Sequence, residues 1–352
     1  MGWYPRISTG QLSFYRAIPK VELHRHLEGS LRLNTLLEIA REHGLTIPET
    51  HFSSLVQMQK DDPLTFANFL GKFQTLRIFY RSPEVITRIT REAIVDAAED
   101  GVKYLELRFT PMALSRLQGF SFGEVMDWVL EAAQEAERQT HVITRLIVSV
   151  NRHEPVSVAE EVIRQAVDRK SRGIVGFDLA GNEVEFPARP FAGVFREARE
   201  SGLHLTVHAG EWGGPENVRE AIEVLGAERI GHGVRVMEDP RVVDLARERH
   251  VLFEVCMTSN FQTGVVPSLQ RHPLPQMVEA GLNVSINTDD PGISRITLTD
   301  EYRVALEEMG MPVAALVNCV LAAALGSFQP PEDRVALATQ LQPTLNKVLR
   351  NL

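Results

Sequence analysis

Eight short runs of β-branched or alternating apolar residues, each ending at a polar or glycine-bearing corner, recur along the chain at 21–26, 104–109, 145–150, 174–179, 204–208, 229–232, 251–255 and 283–287. Such runs read as buried strands whose carboxyl ends open into loops. Between most of them lie segments of helical periodicity, at 122–139, 157–172, 190–201 and 215–225, the last opened by Pro215 near its first turn. Strand and helix alternating in this way predict an α/β fold, a (β/α)8 barrel of TIM type. An open doubly wound sheet is disfavoured because no GxGxxG turn follows the first run.

The 352 residues, 44% of them hydrophobic, suffice for one large core, and a single domain spanning 1–352 is the economical reading. The connection from 31 to 101 is much longer than the others and reads as helices at 34–43, 63–77 and 83–99. Barrel active sites lie on the face where strands end, so this helical insertion after strand one is expected to roof the site as a lid. A helical tail is expected from about 300 to 352.

Charge and cysteine content remove several function classes. With 37 Lys+Arg against 46 Asp+Glu the formal charge is −9, which repels a polyanion, so no nucleic-acid partner is expected. Cys256 and Cys319 are too few for a disulfide framework or a thiolate metal site. No apolar stretch is long enough to span a bilayer and no signal-peptide core is visible at the N-terminus. A cytoplasmic protein without a membrane partner is the expectation.

Chemistry gathers at the strand ends. His24 and His26, two apart on the first strand, share a face and can grip one cation. The fifth strand ends in VHAGE, with Glu211 three residues past His208; the sixth ends in RIGHG, with His232 between two glycines that let the backbone turn tightly. The eighth ends in NTDDPG, where Asp289 and Asp290 would repel unless a cation or a shared proton relieved them. Any one of these is ordinary on a protein surface. Four together, each at a strand end, are hard to attribute to chance.

Taken in order from Pro19 to Pro291, the strings PKVELHRHLEG, DLAGNE, VHAGE, RIGHG, TSN and NTDDP resemble the adenosine deaminase family of the amidohydrolase superfamily. The resemblance implies one zinc ion per chain, held by His24, His26, His208 and Asp289. It also implies functional positions at Glu211, His232, Asp290 and Gly181, with His26 and Glu28 at the substrate. Three histidines and a carboxylate leave an open position for a water and lower its pKa toward neutrality. Asp289 would orient that water, and His232 would take its proton or steady it electrostatically. Glu211 would protonate N1 of a purine, Asp290 as the neutral acid would donate to N7, and the Gly181 amide to N3. No lysine lies between Lys170 and Lys347, which argues against a carboxylated lysine bridging two metals and against a Schiff base on the later strands.

The expected reaction is hydrolytic deamination of adenosine and 2′-deoxyadenosine to inosine and 2′-deoxyinosine with release of ammonia, a purine nucleoside being the small-molecule partner. One position departs from the common pattern. Glu28 stands where many adenosine deaminases carry an aspartate that meets the ribose 5′-hydroxyl, and related adenine deaminases often carry this glutamate. The alternatives are therefore an adenine deaminase, an aminodeoxyfutalosine deaminase acting on a 5′-extended nucleoside, or a zinc amidohydrolase for a non-purine substrate. The string CMTSNFQTG resembles the nucleoside deaminases. A 5′-phosphate would be repelled by Glu28 unless Arg25 or Arg32 compensated. His43, His51, His141, His153, His250 and His272 read as surface or structural, and Met257 and Trp212 as packing around the pocket. Phe66, Phe69, Leu70, Phe73 and Leu76 share a helical spacing suited to core, with one or two over the base.

Overall fold

In the computed structural model, which describes residues 2–5, 8–48 and 50–350, the eight strands fall where the sequence places them. They are β1 (Lys20–His26), β2 (Val102–Phe109), β3 (Ile143–Asn151), β4 (Ile174–Ala180), β5 (His204–Ala209), β6 (Arg229–His232), β7 (Leu252–Val255) and β8 (Asn283–Ile286). Neighbours pair in parallel in chain order, as a (β/α)8 barrel requires. Closure comes just past the end of β8, where the His26 amide donates to the Asp289 carbonyl (2.8 Å) and the Asp289 amide to the His24 carbonyl (3.0 Å). Lower down, the Asn287 side chain replaces the missing backbone acceptor for the Leu23 amide (2.8 Å).

The strands turn Val21, Leu23, Leu105, Leu107, Leu205 and Val207, all fully buried, into the hydrophobic core. A second set of buried strand residues is charged: Glu22, Glu106, Arg108, Asp178, Arg229 and Glu254 are each at most 1% exposed. Buried charge persists only when paired. Here Arg108 joins Glu254 (2.6 Å) to Asp178 (3.4 Å), and Arg229 joins Glu106 (2.5 Å) to the other oxygen of Glu254 (2.6 Å).

Between β1 and β2 the chain forms helices Leu33–Glu42, Phe52–Val56, Phe66–Leu76 and Pro83–Glu99. The third starts three residues later than its periodicity suggests because Thr65 caps it, its hydroxyl accepting from the Asn68 amide. The short helix Phe52–Val56 has no sequence counterpart in our reading; it is held by packing, with the Phe52 ring 5.7 Å from that of Phe79. Helix Thr9–Ala17, closed by a capping box between Ser8 and Gln11, was likewise not expected. The expected helix at 157–172 ends at Val167 and resumes as a single 3-10 turn, Lys170–Arg172. The tail is three helices, Leu298–Glu307, Val313–Leu325 and Pro331–Arg350. Gly310 with Pro312, and Gly326 with Pro330, separate the three. Among the described residues no helix is long and apolar enough to cross a membrane.

Candidate active site

The residues at the carboxyl ends of β1, β5, β6 and β8 converge. His24 Nε2 lies 3.2 Å and His26 Nε2 3.4 Å from the same oxygen, Asp289 Oδ1. The Nε2 atoms of His26 and His208 are 3.2 Å apart. One ligand atom each from His24, His208, His232 and Asp289 falls within a mutual 4.8 Å. The sequence reading has His26 and not His232 in the first set of four; the structure packs both rings around one point. Two of these positions use a backbone conformation that side chains disfavour, His232 at φ 60° and Asp289 at φ 64°. Such strain, on the order of 1–3 kcal/mol each, persists only where surrounding structure over-determines it.

Outer partners aim two of the rings. Glu254 Oε2 is 2.8 Å from His24 Nδ1, and Asp178 Oδ1 is 3.0 Å from His208 Nδ1. Carboxylates there accept the Nδ1 proton and leave each Nε2 lone pair pointing inward, the usual arrangement of a metal-binding histidine. The buried Nε2 of His24 makes no hydrogen bond, as expected of a nitrogen reserved for a cation. Three imidazoles and a carboxylate of this disposition fit a divalent metal such as zinc. Burial opposes ionisation of Asp289, yet His232, His24 and His26 around it outweigh that and hold its carboxyl well below the usual range. His26 and His232 are both driven far below the usual imidazole value, chiefly by burial.

Gly231 is what allows this crowding, because a Cβ there would stand 2.9 Å from His24 Cε1 and 3.3 Å from the His208 backbone. Gly231→Ala is therefore expected to displace the His24 ring and weaken metal binding about tenfold to a hundredfold, which a competitive chelator titration would measure. An unchanged affinity would show that the ring has room to retreat.

Beside the cluster lies a cavity of about 290 Å³ that Glu211, Asp290, Gly181 and Glu28 all line. Burial first, then Asp289 and Glu183, push the Glu211 carboxyl well above the ordinary carboxylate range; its Oε2 is 3.6 Å from His232 Nε2. Burial and the neighbouring Asp289 do the same to Asp290, so both carboxyls hold their protons more tightly than ordinary acids. Gly29 makes room for Asp290, whose Oδ1 lies 1.7 Å from where a Cβ on residue 29 would be. Gly181 sits at φ +96°. Glu28 accepts from the Thr110 amide through Oε1 (2.6 Å), and burial raises its pKa to about 7. Glu28 Oε2, Asp290 Oδ1 and the Tyr80 hydroxyl are buried without hydrogen-bond partners. Unsatisfied polar atoms around one cavity are what a polar ligand would complete.

Phe66, Phe69, Leu70 and Phe73 of helix Phe66–Leu76 line the same cavity, and Phe66 packs on Trp212 at 4.6 Å between ring centroids. The insertion thus faces the site. Other expectations need correction. Arg25 is engaged by Glu22 and Ser30, Arg32 by Asp96, and neither lines the cavity; the arginine that does is Arg77. His153 also lines it. Met257 is fully buried, away from the cavity. His272, read as surface or structural, is buried and hydrogen-bonded toward the site through Asn260.

Sequence reasoning passed over Glu183, Asp178 and Glu254. The Glu183 carboxylate accepts from three successive amides, Gly210 (2.9 Å), Glu211 (2.8 Å) and Trp212 (2.7 Å), and so fixes the loop that presents Glu211. The available signal was a lone acid inside or just beyond an apolar strand, a position that demands a partner.

Residues 19–344 match the family described as adenosine deaminase. The adenosine deaminase of Klebsiella pneumoniae subsp. pneumoniae is 36% identical over 324 residues, 91% of this chain and 97% of that protein. Among solved structures, the adenine deaminase AAur1117 of Arthrobacter aurescens superposes with a TM-score of 0.86 at 28% identity, over 93% of this chain and 99% of that one. The Arabidopsis N6-mAMP deaminase gives 0.85 at 28% identity, over 94% and 99%.

Proposed function

Because the chain belongs to the adenosine deaminase family, we propose that it hydrolyses the 6-amino group of adenosine and 2′-deoxyadenosine in the cytoplasm, giving the inosine nucleosides and ammonia, with one zinc ion per chain. The observation that carries this reading is the Glu211 carboxyl lining a cavity whose wall includes His26, His208, His232 and Asp289, with its pKa pushed up by burial and by the neighbouring Asp289 and Glu183. An acid there can protonate N1 of a purine as its C6 is attacked.

His24, His26, His208 and Asp289 would hold the zinc. When bound it supplies Lewis acidity that makes a nearby water easier to deprotonate. The chain's residues do the rest. Asp289, its Oδ2 held by the Ser259 hydroxyl at 2.7 Å, orients the water. Water oxygen bonds to C6 as the Glu211 carboxyl passes its proton to N1 and a neighbouring side chain accepts one water proton. That accepted proton then goes to the amino nitrogen. The C6–N bond breaks with ammonia leaving, and the remaining hydroxyl proton returns to Glu211. Asp290, whose proton is favoured by burial and by Asp289, would donate to N7 as the acid, and Gly181 offers its amide to N3. The phenylalanines of helix Phe66–Leu76 exclude bulk water.

One observation favours a second reading, adenine deamination: Glu28 Oε2 is buried without a partner, and a free base presents an N–H where a nucleoside has its sugar. A single panel separates them. Metal-quantified protein is assayed by ultraviolet absorbance and ammonia release on adenosine, 2′-deoxyadenosine, adenine, AMP and a 5′-extended adenine nucleoside. The expected result is one zinc per chain and turnover of the first two with kcat of roughly 1–10³ s⁻¹. Turnover of adenine alone would replace the proposal with the second reading. Silence on all five would point to a non-purine substrate.

A further inference from the structure

Behind His232, on the side away from the cavity, runs a chain of hydrogen bonds whose direction is fixed at its far end. The backbone amide of Leu274 can only donate, and it donates to His272 Nδ1 at 3.1 Å. His272 Nδ1 is therefore unprotonated, and the neutral ring carries its hydrogen on Nε2. That nitrogen lies 3.2 Å from the Asn260 side-chain oxygen, so the Asn260 carbonyl is the acceptor. The opposite amide orientation would set two donors face to face. The amide nitrogen of Asn260 is consequently the atom directed at His232 Nδ1, 3.1 Å away, and a side-chain amide nitrogen only donates. Asn260, His272 and His232 are each at most 1% exposed, so no bulk water competes for these bonds.

We infer that Asn260 and His272 are positioning residues that hold His232 in the tautomer protonated on Nε2, making this imidazole a hydrogen-bond donor to the oxygen attacking C6 instead of the acceptor of the water's proton. The inference rests on the deaminase reading above, which left both roles open for His232. Two consequences follow. With its lone pair turned away toward Asn260, His232 is not a metal ligand in this tautomer, and the fourth ligand is His26, although His232 lies as near the cluster. The proton given up by water goes to a carboxylate oxygen, Asp289 being the anion that faces the same point. Burial, which pushes His272 down to about pKa 3, keeps that ring neutral and the direction of the relay constant.

Asn260→Asp is the closest probe, since it replaces one amide nitrogen by oxygen and leaves shape unchanged. The aspartate would accept from His232 Nδ1–H and invert the tautomer. The full-length, zinc-loaded protein labelled with ¹⁵N-histidine reports both ring nitrogens of His232, assigned by comparison with His232→Gln. The wild type is expected to show Nε2 protonated and Nδ1 bare, and N260D the reverse. In N260D, kcat is expected to fall about 10²–10⁴-fold, the range of a wrongly held tautomer, with KM within about threefold and zinc stoichiometry unchanged. His272→Phe, which removes the fixed donor and frees the Asn260 amide to rotate, should lower kcat about tenfold and average the two nitrogen signals. A wild-type His232 protonated on Nδ1, or an inverted N260D that retains kcat within about threefold, would overturn the inference. Wild-type protein inactive on every adenine compound would overturn the functional reading alone, because the nitrogen shifts are read without substrate.

Discussion

Glu211→Gln is expected to keep its metal and lower kcat by about 10²–10⁴-fold, the range attributed to a positioned general acid. The substitution changes one oxygen for an NH2 in a side chain whose loop is held through its backbone: Glu183 grips the amides of residues 210, 211 and 212, and none of those bonds involves the Glu211 carboxyl. The glutamine should therefore occupy the same place without a proton to deliver to N1. Glu211 is also separate from the four residues proposed to hold the zinc, so metal stoichiometry by elemental analysis should match the parent. Loss of turnover with full zinc assigns the acid; loss of both would mean that the side chain holds the cluster together, and a near-normal rate would place the proton source elsewhere.

The second large effect is expected at Arg108, which belongs to neither the cavity wall nor the histidine and aspartate cluster. It ties Glu254 and Asp178 together inside the barrel, and those two carboxylates hold the Nδ1 atoms of His24 and His208. Burial would otherwise keep both acids protonated. His208 and Arg108 overcome that for Asp178, and Arg108, Arg229 and His24 for Glu254, and hold both ionised. Arg108→Met removes the cation and leaves buried negative charge unpaired, a loss of about 3–5 kcal/mol in comparable cases. The carboxylates would then relax or take up protons and release the rings they aim, weakening zinc binding about tenfold to a hundredfold. Denaturant unfolding of the metal-free protein isolates the first effect and chelator competition the second. Arg108→Lys should recover only part of either, because an ammonium lacks the fork that spans two carboxylates. Unaltered stability in Arg108→Met would show that the remaining arginine, Arg229, neutralises the interior by itself.

Barrel and cluster were legible in the sequence because both are written locally. A parallel strand buried on two faces announces itself by composition, and its carboxyl end is where a ligand is met, so HRH, VHAGE, RIGHG and NTDDP marked the site without tertiary information. What was not legible depends on neighbours far along the chain. Asp178 and Glu254 acquire meaning only from rings on β5 and β1, and His272 only from an asparagine twelve residues away that itself points at a third element. Arg25 and Arg32 carry the right charge, yet Glu22 and Asp96 occupy them first. The tail is legible as helical, and its glycine and proline residues, Gly310 with Pro312 and Gly326 with Pro330, mark where it breaks into three. Short helix Phe52–Val56 has too few residues for any period to be read.

A polypeptide leaves the ribosome amino end first, so one edge of β1, paired with β2 on its other side, waits for its second partner until the residues beyond β8 have emerged. The seam joins Leu23 to Asn287, 264 positions apart, and the same closure brings Asp289 to His24 and His26. Any nascent or truncated chain ending before β8 therefore has two open sheet edges, those of β1 and β7, inviting aggregation, and lacks the carboxylate on which the cation site centres. Metal loading and completion of the barrel would in this sense be one event: a cation held across the seam would favour the closed molecule over every unfinished one by mass action.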